Sequence, residues 1–91
     1  MQGFYKYTHI NTNTTTTIPS VVLLGSVTVN IVGSGGNTAT LYNGTTSNDV
    51  IAVIDTTKAL GTFLYDVFIM NSLVTVVTAG GTPADLTIAS Y

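Results

Sequence analysis

The chain has 91 residues, of which 45% are hydrophobic and only 7% charged, for a net charge of −2. An ordinary soluble domain is about one-quarter charged, and two lysines without an arginine cannot neutralise a phosphate backbone, which excludes nucleic acid as a partner. The absence of cysteine rules out disulfides and thiolate chemistry, and the longest aliphatic run, Val21 to Leu24, is far too short for a membrane helix of about 20 residues.

What replaces charge is neutral and polar: 18 Thr, 7 Asn and 6 Ser. Together with 11 Val and 7 Ile, the threonines make the chain rich in β-branched residues, which suit a pleated surface better than a helix. The apolar residues recur every second position, so each strand turns one face inward and one outward. The length fits one domain over residues 1–91, with residues 1–11 an N-terminal arm or edge strand.

The first predicted strand runs from Phe4 to Ile10 and sets Tyr5, Tyr7 and His9 on one face. The second, Thr14 to Ile18, stops at Pro19, which cannot donate to a ladder. Its run of threonines keeps strand propensity without an apolar edge and reads as an exposed or edge strand. The third and longest, Val21 to Val32, groups Val21, Leu23, Val27, Val29 and Ile31, with Gly25 marking a bulge or bend. Gly33 to Asn37 form a turn cluster before a strand at Thr38 to Asn43, which buries Ala39 and Leu41.

After a polar loop, Val50 to Ile54 is nearly all apolar and is expected at the centre of a sheet. Thr62 to Met70 follows, with Phe63, Tyr65, Val67 and Ile69 on one face. Leu73 to Thr78 and a last strand around Leu86 and Ile88 complete the series. The paired glycines of Gly33 to Asn37 and of Gly80-Gly81 are similar turn chemistry rather than a repeat. Turns this frequent between short strands predict an all-β chain, a small antiparallel β-sandwich, jelly-roll-like or Ig-like, of about seven or eight strands.

No catalytic set can be assembled. His9 is the single histidine, no Gly-x-Ser-x-Gly elbow is present, and Asp49, Asp55 and Asp85 fall in or beside turns, where Asp bonds its own backbone. Asp66 stands within a strand, opposite in direction to Tyr65 and Val67, as an exposed carboxylate or one bonded at a subunit contact. No metal or cofactor pattern occurs, so catalytic, metal and cofactor residues are all expected to be none. The candidate interface residues are Phe4, Tyr5, Tyr7, His9, Tyr42 and Tyr91, since tyrosine offers a flat apolar body with a polar tip. A surface so poor in charge is expected to be covered by copies of the chain or by a scaffold.

The strand and turn patterns of Thr14 to Ile18, Ala52 to Thr57, Thr62 to Val67 and Leu73 to Ile88 resemble small tailed-bacteriophage virion proteins. That resemblance implies a capsid decoration (cement) subunit, a homotrimer bound to the major capsid protein and located in the virion. A phage tail or baseplate subunit, or an adhesin module binding glycan through Tyr5, Tyr7 or Tyr42, is the alternative.

Overall fold

The computed structural model describes residues 5–91. Eight strands follow one another: β1 (Lys6–Ile10), β2 (Thr15–Pro19), β3 (Leu23–Ile31), β4 (Thr38–Asn43), β5 (Asp49–Asp55), β6 (Gly61–Phe68), β7 (Leu73–Ala79) and β8 (Asp85–Ser90). They form two four-stranded antiparallel sheets, ordered β1-β8-β3-β6 and β2-β7-β4-β5. The described residues contain no helix. This is the small β-sandwich that the two-residue period requires, since each sheet has one apolar face to bury.

The core lies between the sheets. Leu24, Val27, Val29, Leu86 and Ile88 come from the first sheet, and Ala39, Leu41, Val74 and Val76 from the second; all are buried. Removing each such aliphatic side chain from water contributes about 1.5–3 kcal/mol, which offsets the ordering cost of a chain this short.

The third strand shows why a single glycine matters to register. The β3–β6 pairing runs Leu24↔Val67 and then Ser26↔Leu64, so β6 carries an extra residue opposite Gly25. The bulge falls where the glycine predicts it, and against β8 Gly25 is itself the extra residue, since Leu24 pairs with Ser90 and Ser26 with Ala89; Val21, Val27 and Val29 are buried as expected, but two neighbours are not. Leu24 joins Val27 and Val29 in the core, whereas Leu23 is only half-buried and Ile31 is exposed. Each extra residue shifts the inward-outward alternation of β3 by one: Gly25 puts Leu24 rather than Leu23 on the side of Val27 and Val29, and Asn30, the extra residue between Val29↔Leu86 and Ile31↔Asp85, turns Ile31 outward.

The fifth strand departs further from expectation. Despite its apolar run, β5 is an edge of the second sheet, paired on one side only, to β4. The threonine-rich β2 is the other edge of that sheet. One edge is therefore guarded by hydroxyls and the other is not.

The two glycine-bearing turns pack on each other. Ser34 and Thr82 form an isolated antiparallel bridge, with backbone bonds of 3.1 and 3.0 Å. The close approach depends on Gly81, whose φ is +44° and whose missing Cβ would collide with the Ser34 carbonyl oxygen. Gly81→Ala imposes both a left-handed strain and that collision, and is expected to cost at least about 1 kcal/mol in urea unfolding. An unchanged midpoint would contradict this packing.

Beneath the paired turns lies Asn37, wholly buried. Its amide nitrogen donates to Asn13 Oδ1 (2.8 Å), to the Gly80 carbonyl (2.8 Å) and to the Ala79 carbonyl (3.2 Å). Its oxygen accepts from the Thr56 hydroxyl and from the Ala84 amide (3.3 Å). One side chain thus ties four separate loops together at one end of the sandwich.

Candidate functional site

Two surface features stand out from an otherwise threonine- and asparagine-covered molecule. The first is the side of the sandwich where β5 and β6, the last strands of their sheets, come together. A groove of about 280 Å³ runs between them, lined by Val53, Ile54, Asp55, Lys58, Phe63 and Tyr65. Tyr65 is half-buried here, and desolvation raises its hydroxyl pKa above the ordinary value of 10.0. On β5 and β6 and the residues flanking β6, Val50, Val53, Leu60, Phe68 and Met70 are exposed, Val53 by 65% and Met70 by 87%. Singly exposed apolar residues are normal, but here they recur on two edge strands, each paired on one side only.

The second feature is a trough across the outer face of the first sheet, of about 300 Å³, lined by Tyr5, Tyr7, Gly25, Ser26, Leu64, Asp66 and Ala89. Its floor is made of small residues from β3 and β8. The ring of Tyr5 lies directly over Gly25: a Cβ there would stand 2.6 Å from Tyr5 Cε1. On its other side Tyr5 meets Tyr91, with ring centroids 6.2 Å apart at 56°. The opposite wall comes from β6, where Asp66 occupies the bulge with φ of +50°. Asp tolerates this left-handed conformation better than most residues, because its short polar chain suits it.

A polar network lies farther along the same sheet. His9 Nε2 donates to Asp85 Oδ1 at 2.8 Å, and Asn30 Nδ2 donates to Asp85 Oδ1 and to Thr87 Oγ1, each at 2.9 Å. The register explains the meeting, since β1 and β3 flank β8 on its two sides. The Asn30 amide, and after it the His9 imidazole, hold the Asp85 carboxyl below its ordinary value of 3.8. Asp55 is lowered too, by the Thr57 hydroxyl (2.5 Å) and then the Thr57 amide (3.0 Å). A carboxyl lowered in the folded state stabilises it above the unfolded value, and this contribution is lost as pH falls through the folded value. Unfolding midpoints are therefore expected to fall as pH drops below about 5 and through the lowered carboxyl values, and less steeply in Asp85→Asn. Parallel curves for the two proteins would refute the assignment.

The sequence-derived interface residues are not all brought together. Tyr5, Tyr7 and His9 share the outer face of β1, and Tyr91 lies beside Tyr5. Tyr42 belongs to β4 in the other sheet, so it forms no common platform with Tyr5 and Tyr7. Phe4 lies outside the described residues. The apolar residues of β5 and β6 were absent from that set. Their signal was present, in an apolar run with too few polar positions for a one-sided strand. Among the described residues no group of three or more His, Asp or Glu could hold a metal ion.

No protein-family model matches the sequence. No curated protein matches it either. Among solved structures the fold is similar to that of the Drosophila NLP core, with a TM-score of 0.66 and 13% sequence identity over 96% of this chain and 95% of that one. That crystal structure is described as giving insight into pentamer formation and histone binding. The two chains share a fold.

This finding corrects the reading drawn from the resemblance to phage virion proteins. The solved neighbour is a histone-binding protein that forms pentamers, and not a virion component, a trimer or a binder of a major capsid protein. The expected capsid decoration role, the tail or baseplate and glycan alternatives, the homotrimer, the capsid partner and the virion location all fall with it. The physical reason is plain: short strands with Gly, Asn and Thr turns are common to small sandwiches of every origin. No chemical motif stood behind the resemblance.

Proposed function

We propose that this chain is a non-catalytic, self-assembling subunit of a histone chaperone type, a pentameric ring that binds basic proteins of the histone class in the cell. The observation that carries the reading is the exposed apolar side formed by β5 and β6 in a fold shared with the NLP core. A closed ring needs head-to-tail contacts between two different patches of each subunit. The apolar β5–β6 side supplies one patch. The opposite side, where β1 and β2 are joined by residues 11–14, is polar and supplies a different surface.

Charge supports the choice of partner. Each chain carries a net −2 and a sequence pI of about 4.6, and a ring multiplies that charge by its copy number. An acidic assembly attracts a basic protein over about a Debye length, roughly 8 Å at physiological salt. Light scattering on purified protein tests assembly, with an expected mass of five 9.5 kDa chains. Titration with purified core histones tests the partner. A stable monomer at micromolar concentration, or a ring that leaves histones unbound at physiological salt, overturns the reading.

A further inference from the structure

We propose that the trough between Tyr5, Tyr7 and Asp66 is a binding site for a lysine side chain of a basic protein partner. The inference rests on the histone-binding reading above and names the site and the chemistry that reading leaves open.

Three features of the trough converge on an ammonium group carried by an apolar stem. The Asp66 carboxylate has no side-chain partner among the described residues, and no lysine of this chain lines the trough. Tyr5 is held across Gly25, which lies opposite the bulge that carries Asp66, so ring and carboxylate flank the same stretch of floor. A cation beside both gains charge pairing and attraction to the ring face. With the Tyr5 ring seated on Gly25, the small residues Ser26 and Ala89 leave the rest of the floor for a four-carbon stem, and Leu64, 76% exposed, gives that stem an apolar wall. Lysine fits better than arginine, because one carboxylate and one ring satisfy a compact ammonium but leave most of a guanidinium's five donors unpaired.

The backbone supports a purpose for Asp66. A non-glycine residue at φ of +50° in a strand is held there by its surroundings, and a bulge redirects the side chain it carries. Here that direction is into the trough. Gly25 has a matching part: an added Cβ would displace the Tyr5 ring from the floor.

The test is a titration of the full chain with a lysine-rich histone-tail peptide, followed by amide NMR, with the same peptide lysine-acetylated and with its lysines replaced by arginine. Wild-type protein is expected to shift the Gly25, Ser26 and Ala89 amides with the lysine peptide and to bind the acetylated peptide at least about fivefold more weakly. Asp66→Asn and Tyr5→Leu are each expected to weaken binding by about fivefold to tenfold, the scale of one exposed charge or ring contact. Asn tolerates the left-handed backbone as Asp does, and Tyr5 is exposed and outside the buried core, so both variants keep the fold.

Unchanged affinity in both variants, or equal binding of acetylated peptide, overturns the site while leaving the histone reading standing. Peptide shifts in the trough without any binding of core histones refute the histone reading and keep the site. If Asp66→Asn loses the ring mass on light scattering instead of peptide affinity, the occupant is a lysine of a neighbouring copy and the proposal falls.

Discussion

Asn37→Ala is expected to unfold at markedly lower denaturant, with a loss of about 3–4 kcal/mol. The side chain is wholly buried and bonded on all sides. Truncation leaves the Thr56 hydroxyl, the Ala84 amide and the Gly80 carbonyl short of a partner in a place water does not reach. Each abandoned buried group costs about 1–3 kcal/mol, well above the net worth of the bond itself. In a domain of this size the loss corresponds to a melting point lower by roughly 15–25 °C. Asn37→Asp should be at least as damaging, because its carboxylate would face the Gly80 and Ala79 carbonyls without a hydrogen to offer. Thr56→Val removes one donor and should cost less, about 1–2 kcal/mol. Urea unfolding at two protein concentrations separates this effect from assembly, which stabilises by mass action. A loss under about 1 kcal/mol for Asn37→Ala would mean that water or a shifted loop replaces the lost bonds.

Sequence alone made the eight strands legible, because Gly, Pro and Asn punctuate a chain whose apolar residues keep a period of two. The same local signals could not say which strands are neighbours. Val50 to Ile54 looks central because an apolar run usually means burial on both sides, yet β5 ends its sheet. That mismatch between composition and position is what the proposed assembly accounts for. Leu23 and Leu24 exchange places because Gly25 is an extra residue in β3 against β8, and a glycine that marks a bulge does not reveal which way the alternation shifts. Asn37 reads as one more turn residue; only the meeting of residues 33–37 with residues 79–84 turns it into a buried hub. Of the site, Tyr5 and Tyr7 were legible from their spacing. Their opposition to Asp66 was not, since it depends on three strands, β1, β8 and β3, being laid side by side before β6.

The double variant Val53→Lys/Phe63→Lys is expected to convert the proposed ring to a monomer that keeps the β-sandwich. Val53 is mostly exposed and Phe63 is partly so, and both line the groove between β5 and β6 rather than the sealed core. The lone subunit can therefore hold two more ammonium groups in water at little cost, beside a lysine already at this groove, Lys58. A subunit contact made through the same groove would instead have to strip water from like charges with one carboxylate, Asp55, nearby. An unpaired charge buried on association costs several kcal/mol, and about 4 kcal/mol already weakens an equilibrium roughly a thousandfold. Light scattering should report a single 9.5 kDa chain across the concentrations at which the proposed ring is expected of the wild type. Circular dichroism should show an unchanged strand signal, which separates dissociation from unfolding. A ring that persists in this variant would place the subunit contact elsewhere on the sandwich. The exposed apolar strands would then need a different covering, one that tolerates two added cations at its centre.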